Sequence, residues 1–437
     1  MKKVSSIIVG VILLVLVAVG ARYFMAYNGF LDKITDRSPE MKQYSVIVLN
    51  TSELNEIKDL AGKSTGFLKT DPKVANAKQK LTEIVEIEAD YYDDLDILIE
   101  TLENKITDAM VLESDRLEIL QEDDAVKNLR VVYTFEIELE SENMEISDKE
   151  ITEEPFVLYI SGSDSRNGIK ATARSDVNIV AVVNPKRGKI LLVSIPRDTY
   201  VQLHGTTGLK DKLTHAGVYG INMSKTTIED FLNTPIDYTL KVSFDTVIQV
   251  VDQLDGIDIE SDQAMTLSAE GGKKCTFVEG KQHVDGVCAL RFARERKSYK
   301  TGDRHRGENQ QQVITSIIGR LAGSKDYLLK IPTILDIAAD SFETTISRDN
   351  VSAFIRMQLT NPKNWQVESI AVDGTGDYQP TYSMGANRPL YVMIPNMVTV
   401  NNATAKIAEY LNDEATEEEA TEEQNDEAEN ESNNNDK

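Results

Sequence analysis

VNIVAVVNPKRGKILLVSIPRD, residues 177–198, decides the fold of this chain. It contains two mostly apolar runs, 177–185 and 189–196, joined through the turn NPKRG. Runs of this length are typical of strands, and their near-continuous apolar character indicates a sheet that is covered on both faces. A third run, FVLYISGSD at 156–164, has the same character and enters a glycine-containing turn. We therefore predict an α/β domain around these three strands.

Outward from these strands, the chain divides into two predicted domains. Residues 155–412 form the main domain, with helical patterns at 223–233 and 309–323. Strand-like and helix-like pieces also alternate through 44–140, which predicts a smaller α/β accessory domain. The acidic residues 141–154 are interpreted as a linker, and the polar residues 29–43 as a spacer.

The two ends of the chain are predicted to lie outside both domains. Lys2 and Lys3 precede an uncharged, mostly apolar run at 4–21, which is long enough to span a bilayer as a helix. We predict that 1–28 are a cytoplasmic stub and a single-pass transmembrane anchor in the cell membrane, with the N-terminus inside and the bulk of the chain extracellular. A cleaved signal peptide is the alternative, because this run ends in small residues. Residues 413–437 hold twelve acids and one Lys, and we predict that this tail is disordered.

Positive charge is concentrated in one segment of an acidic chain. The net charge is −25, yet seven of the first sixteen residues of RFARERKSYKTGDRHRGENQQQ, at 291–312, are Arg or Lys. Such a concentration indicates an anionic ligand. Three shorter motifs, GSDSR (162–166), RSD (174–176) and PRD (196–198), also pair a carboxylate with a guanidinium. All three lie where strands meet loops, the usual place for function in α/β sheets.

Carboxylates together with several arginines predict a phosphate-bearing ligand and a hard divalent metal. Arginine binds phosphate bidentately and stays charged. Mg²⁺ takes one or two protein carboxylates and fills its other positions with water and phosphate oxygens. A surface salt bridge is the commoner explanation for any single pair, but it accounts poorly for four such clusters.

Other chemistries fit this sequence less well. The basic segment has no recognition helix or aromatic-rich platform beside it, and the acidic total and the predicted exterior location also argue against nucleic acid. The four histidines have no HExxH spacing, which argues against zinc hydrolysis, and no GxSxG turn presents a serine nucleophile. Cys275 and Cys288, the only two cysteines, are either a disulfide, which an exported location permits, or two buried thiols.

GSDSR, RSD, PRD and RFARER…GDRHRGENQ, in this order, resemble the motifs of the LytR-CpsA-Psr family of membrane-anchored cell-wall enzymes. KLTHAGVYG, at 212–220, resembles the family's segment between the third and fourth motifs. The resemblance covers roughly residues 155–410, and 44–140 resemble much more weakly the accessory domain that some members carry. It implies an α-β-α sandwich with a central mixed sheet and a long apolar cavity for a polyprenyl tail.

The resemblance also implies a role for each matching residue. Asp164 and Asp176 would hold Mg²⁺ (or Mn²⁺), and Asp303 would lie beside the substrate as a catalytic residue. The substrate pyrophosphate would be bound by Arg174, Arg197, Arg294, Arg296, Arg306 and Gln310. Of these, Arg174, Arg197 and Arg306 would also be catalytic, since they would stabilise charge on the leaving phosphate. The general base stays open between Asp198 and Asp303.

The implied function is that of a Mg²⁺-dependent glycopolymer phosphotransferase with a pyrophosphatase side activity. It would move a glycopolymer, such as teichoic acid or capsule, from a polyprenyl-pyrophosphate carrier to peptidoglycan through a phosphodiester. Two alternatives stay open: a polyprenyl-pyrophosphate phosphatase that uses water as acceptor, and a non-catalytic scaffold that binds anionic wall polymer. The scaffold would need Arg and Lys but no metal-binding carboxylates, so the aspartates favour an enzyme.

Overall fold

The computed structural model describes residues 40–121, 126–138, 147–163, 169–324, 326–327 and 341–412. The predicted anchor at 1–28 and the predicted acidic tail at 413–437 lie outside these residues, as do most of the spacer and the start of the linker. Within the described ranges, no helix combines the length and the apolar character needed to cross a bilayer.

The first unit is a five-stranded sheet with three helices. Its strands are β1 (Met41–Leu49), β2 (Ser64–Leu68), β3 (Glu88–Tyr92), β4 (Ala109–Glu113) and β5 (Leu129–Glu138). Its helices are α1 (Val74–Ile84), α2 (Leu95–Glu103) and α3 (Ser114–Gln121). The spatial order is β3-β2-β4-β1-β5, with β2 parallel to its two neighbours and β1 antiparallel to its two. The region predicted as an accessory domain is therefore an α/β unit.

Two predicted boundaries around this unit are corrected by the structure. β1 begins at Met41 rather than at Tyr44, because the ammonium of Lys42 is buried in an ion pair with Glu113, 2.6 Å away. The spacer prediction is therefore wrong for residues 41–43. The described part of the predicted linker, 147–154, packs against the second unit, where Lys149 Nζ lies 2.8 Å from an Asp237 oxygen.

The second unit is built on a six-stranded mixed sheet and several short hairpins. Its strands are β6 (Phe156–Ser163), β7 (Val177–Asn184), β8 (Lys189–Ser194), β9 (Tyr200–Val201), β10 (Asp211–Lys212), β11 (Tyr238–Ser243), β12 (Ile257–Ser261), β13 (Met265–Ser268), β14 (Lys274–Phe277), β15 (Gly280–Val284), β16 (Phe342–Thr344), β17 (Gln366–Ala371), β18 (Gly374–Thr381) and β19 (Gly385–Pro395). Its helices are α4 (Leu213–Ala216), α5 (Ile221–Leu232), α6 (Phe244–Gln253), α7 (Gly286–Ala293), α8 (Asp303–Ala322), α9 (Arg348–Thr360) and α10 (Met397–Leu411).

Helices cover both faces of the six-stranded sheet, whose order is β16-β11-β6-β7-β8-β17. One face packs through Tyr159, Val180 and Leu191 against α5 and α10. The other face packs through Ile179 and Leu192 against α8 and α9. Successive residues of a strand point to opposite faces, so burial on both sides requires the near-continuous apolar runs seen in the sequence. The predicted sandwich with a central mixed sheet is confirmed.

Candidate active site

Four strands of the six-stranded sheet end at the same edge, because they run in the same direction. β6 ends there at Ser163, β8 at Ser194, β11 at Ser243 and β17 at Ala371. β7 runs the opposite way and begins at this edge with Val177. The motifs that precede β7 and follow β8 therefore meet here, where function is expected in an α/β sheet.

Arg197 and Asp176 form the centre of the candidate site. Nη1 of Arg197 donates to Oδ1 of Asp176 at 2.8 Å, and the Thr214 hydroxyl lies 3.5 Å from the same oxygen. Burial opposes the charge on Arg197, but the carboxylates of Asp176 and Asp198 outweigh burial and raise the pKa of the guanidinium. Arg197 is therefore a permanent cation held against a fixed carboxylate.

A buried network of hydroxyl and amide groups positions the loop that carries Asp176. The Ser175 hydroxyl lies 2.8 Å from that of Ser161, 3.1 Å from that of Tyr159 and 2.9 Å from the Asn178 side-chain oxygen. The Asn178 amide donates back to the Ser175 carbonyl at 3.0 Å. Because these groups satisfy one another away from water, they fix the backbone immediately before Asp176.

Asp198 and Asp303 form a carboxyl pair beside Arg197. The Lys212 ammonium lies 3.0 Å from Oδ1 of Asp198. Burial, followed by the hydrogen bond with Asp198, raises the pKa of Asp303. Burial acts in the same direction on Asp198, but Lys212 and the hydrogen bond with Asp303 outweigh it and lower the pKa of Asp198. The two carboxyls therefore shift each other in opposite directions, and Asp303 has the higher pKa of the pair.

Arg306 enters the site from the first turns of α8. A Cβ atom at Gly307 would lie 2.8 Å from the Ser194 hydroxyl, so glycine allows the helix to approach the end of β8 closely. Nη1 of Arg306 lies 3.5 Å from Oδ1 of Asp303. Burial lowers the pKa of Arg306 and the charge of Arg197 lowers it further, against the opposite influence of Asp303. A bound anion would relieve this repulsion between the two guanidinium groups.

The other predicted pyrophosphate-binding residues lie at different places around this centre. Nη1 of Arg296 is 3.8 Å from Oδ1 of Asp303. Gln310 is half-buried one turn after Arg306 on α8, and so lies on the same side of the helix. The guanidinium of Arg294 lies over the ring of Phe244, 4.5 Å from its centroid. The predicted metal ligand Asp164 lies outside the described residues.

The accessory unit contacts two segments that frame the site. Glu118, on α3, lies 3.6 Å from Nη2 of Arg174, and the Thr172 hydroxyl donates to Asp115 at 3.3 Å. Nη2 of Arg116 donates to the Tyr219 hydroxyl at 3.0 Å. These contacts hold residues 171–176, which lead into Asp176, and residues 212–219, which begin at Lys212.

A disulfide joins Cys275 to Cys288, with Cα atoms 5.4 Å apart, so the disulfide is the alternative that the structure contains. The bond ties β14 to α7, the helix that leads into Arg294. Asp285 caps this helix, since its Oδ1 accepts a hydrogen bond from the Cys288 amide at 3.0 Å.

The comparison with protein families agrees with this geometry. The model of the LytR_cpsA_psr family matches residues 132–406, which is more than half of the chain and includes every strand at the site. The chain belongs to this family.

Named relatives of this LytR-CpsA-Psr protein are teichoic acid transferases. It is 32% identical over 235 residues to the polyisoprenyl-teichoic acid–peptidoglycan teichoic acid transferase TagU of Bacillus anthracis, across 54% of this chain and 74% of the relative. It is 34% identical over 226 residues to TagU of Halalkalibacterium halodurans, across 51% of this chain and 71% of the relative. The crystal structure of B. subtilis TagV superposes with a TM-score of 0.50 at 28% identity, across 59% of this chain and 98% of TagV.

Four side chains at the site are absent from the residues predicted from the sequence. Lys212 and Thr214 had a signal, because they lie in the KLTHAGVYG segment that resembles the family. Glu118 and Tyr391 had none. Tyr391 lies two residues before Met393, whose amide donates to the Asp198 carbonyl at 2.7 Å, and burial, followed by the charges of Asp198 and Asp303, raises the pKa of its phenol.

Among the described residues, Asp176 can supply a carboxylate ligand for the Mg²⁺ that the family resemblance implied. Within them, no three His, Cys, Asp or Glu side chains form a metal-binding group. Mg²⁺ needs only one or two protein carboxylates when phosphate oxygens complete its shell. Arg197 and Thr214 both engage Oδ1 of Asp176, and Oδ2 accepts no hydrogen bond from the part of the chain that the structure describes. Oδ2 is therefore a suitable ligand atom.

Proposed function

We propose that this protein moves a glycopolymer from a polyprenyl-pyrophosphate carrier to peptidoglycan through a phosphodiester. One observation carries the proposal: four cations, Arg197, Lys212, Arg296 and Arg306, surround three carboxylates at the sheet edge. The cluster keeps a surplus positive charge even when all three carboxylates are ionised, although the chain has a net charge of −25. The names of the TagU relatives support the same class of reaction.

In the proposed step, a hydroxyl oxygen of the acceptor attacks the phosphorus that carries the glycopolymer. A P–O bond to the acceptor forms, the P–O bond to the bridging oxygen breaks, and polyprenyl phosphate leaves. Arg197 and Arg306 bind phosphate oxygens and stabilise the charge that develops on the leaving group. Mg²⁺, held by Asp176 and Asp164, would neutralise further phosphate charge when bound.

The carboxyl pair is the proposed proton acceptor. An ionised carboxylate of this pair can take the proton of the acceptor hydroxyl as the new bond forms, and Asp303, whose pKa is the higher of the two, is the stronger base. Little base assistance is required when the transition state of phosphoryl transfer is loose. Both open choices for the general base are therefore members of one unit.

We also propose that residues 1–28 anchor the protein in the cell membrane and that the site faces the exterior. The apolar run and the two preceding lysines support this orientation. Membrane fractions should then contain chains that keep Met1. Recovery of chains that begin near residue 22 in the medium would instead show a cleaved signal peptide.

The proposed reaction can be tested with the full-length protein in detergent micelles. Polyprenyl pyrophosphate that carries a short glycopolymer is supplied with Mg²⁺, with and without peptidoglycan acceptor, and polyprenyl phosphate and polymer-linked acceptor are measured. Transfer to the acceptor supports the proposal. Hydrolysis at the same rate with and without acceptor would indicate a phosphatase, and binding without turnover would indicate a scaffold.

A further inference from the structure

The hairpin of β18 and β19 lies directly beside the carboxyl pair. The Met393 amide donates to the Asp198 carbonyl at 2.7 Å, and Thr199 forms a parallel bridge with Met393. One strand of the hairpin is thus hydrogen-bonded to the segment that follows β8. The segment that carries Arg197 and Asp198 therefore also fixes the position of the hairpin.

Two tyrosines on this hairpin are unusually exposed. Tyr378 is 69% exposed and Tyr391 is 48% exposed. The two residues are direct cross-strand partners, so they lie on the same face of the hairpin. Their ring centroids are 5.9 Å apart at an interplanar angle of 76°. Exposed aromatic pairs of this kind are typical of binding surfaces, since they present apolar faces together with polar hydroxyl groups.

Glycine holds the ring of Tyr391 in place. Gly376 lies on the same face of β18, and a Cβ atom there would be 2.7 Å from the Tyr391 hydroxyl oxygen and 2.8 Å from its ring. The ring therefore packs onto the bare backbone at Gly376. This contact fixes the ring without a side chain that would cover the tyrosine pair.

Uncharged groups determine which ligand fits the tyrosine pair. Its rings and hydroxyl groups carry no charge, whereas the four cations that would bind phosphate lie around the carboxyl pair. A sugar ring fits this surface, because its C–H groups stack on the electron-rich face of an aromatic ring and its hydroxyls are uncharged donors.

We propose that Tyr378 and Tyr391 form the subsite for a sugar ring of the acceptor glycan. This inference rests on the function proposed above and names the part of the site that takes the acceptor. A ring stacked on Tyr391 places its hydroxyl groups next to the carboxyl pair that accepts the proton. The arginines then bind the pyrophosphate of the donor, and the hairpin binds the uncharged glycan.

The test separates acceptor binding from donor turnover. The full-length protein in micelles is given the polyprenyl-linked donor at saturation and uncrosslinked peptidoglycan glycan fragments at varied concentration. Tyr378→Ala should raise the KM for the fragments about tenfold, the scale of one lost aromatic contact, and leave the KM for the donor unchanged. Tyr378→Phe keeps the ring and should restore the wild-type KM. Tyr91→Ala, at a 42% exposed tyrosine of the accessory unit, is the matched control.

Direct binding keeps the subsite testable when turnover fails. Calorimetric titration of the same fragments without donor should show about tenfold weaker binding to Tyr378→Ala and Tyr391→Ala than to the wild type. If the wild type shows no turnover but both alanine variants still bind the fragments more weakly than the wild type, the proposed reaction is refuted and the subsite is supported. Normal transfer with an unchanged acceptor KM in both alanine variants would refute the subsite. So would a loss that occurs only with donor in phosphatidylglycerol vesicles, which would assign the tyrosines to a lipid surface.

Discussion

Replacing Arg306 with alanine should separate catalysis from stability. The guanidinium of Arg306 is 3.5 Å from the Asp303 carboxylate, an attraction of about 5 kcal/mol at an effective dielectric constant near 20. Its charge is nevertheless disfavoured, because burial and the charge of Arg197 together lower the pKa of Arg306. The attraction is therefore more than offset, and the cation contributes no net stability to the protein without substrate.

The expected magnitudes follow from this balance. In the proposed reaction, negative charge develops on the phosphate between Arg306 and Arg197. This charge offsets the repulsion between the two guanidinium groups. Its removal should cost about 3 kcal/mol of transition-state stabilisation, or at least ~100-fold in kcat/KM for the donor. The free energy of unfolding should change by no more than about 1 kcal/mol, mostly through lost packing of the methylene groups. Arg197→Ala should lower both quantities, because Asp176 and Asp198 hold that cation favourably.

Steady-state turnover of the polyprenyl-linked donor and urea denaturation of the same preparations measure the two effects. Arg304→Ala is the matched control, since Arg304 lies on the same helix, is half exposed and pairs with Asp373 outside the carboxyl pair. It should keep turnover within about twofold, as expected for an exposed ion pair. Lys300→Ala, at an exposed residue of the basic segment, should likewise change little.

If Arg306→Ala loses activity only in proportion to the loss of folded protein, Arg306 is an ordinary structural cation. Normal turnover in a well-folded Arg306→Ala variant would remove it from the site altogether.

Three further outcomes are expected. Asp176→Asn should lose at least ~100-fold in turnover together with its response to added Mg²⁺, and a titration that keeps the wild-type Mg²⁺ dependence would place the metal elsewhere. Burial, followed by the charge of Glu118, raises the pKa of Asp115 to about 7. Since the unfolded value is about 3.9, the stability that Asp115 contributes should be lost as pH rises from about 4 to 7; thermal melts of Asp115→Asn should lack this loss, and an equal pH slope in both proteins would contradict it. Loss of the disulfide in a Cys275→Ser, Cys288→Ser variant should cost about 3 kcal/mol of unfolding free energy, and two freely alkylated thiols in protein isolated without reductant would show that the bond does not form.

The sheet and the motifs around it were accessible to sequence reasoning because they depend on local pattern. The apolar runs at 177–185 and 189–196 are β7 and β8, and burial on both faces explains their composition. Asp176 and Arg197 could be placed together because each adjoins a strand end, and strand ends in such a sheet share an edge. The helical pattern predicted at 309–323 is likewise most of α8, although that helix begins at Asp303 and carries Arg306 in its first turn.

Residues that act across long sequence separations were not accessible in this way. Lys42 was assigned to a polar spacer, because only the distant Glu113 makes its burial favourable. Lys212 lies in a segment of recognised resemblance, yet its contact with Asp198 depends on how that segment folds back onto β8. Tyr391 belongs to no motif, and its place near Asp198 follows from the β18–β19 hairpin, whose Met393 amide donates to the Asp198 carbonyl.

The contacts of the accessory unit with the site were also not predictable from local sequence pattern. Its sequence resembles the family only weakly, yet α3 supplies Asp115, Arg116 and Glu118 to the segments that carry Asp176 and Lys212. Arg116 is buried and charged, and it is compensated by Glu113 at 3.0 Å and by the Tyr219 hydroxyl. A buried charge that is paired in this way is costly to break, so the Arg116–Glu113 pair fixes Arg116 within the accessory unit, and the hydrogen bond from Arg116 to Tyr219 then joins the two units. The accessory unit thus braces the segments that lead to Asp176 and follow Lys212.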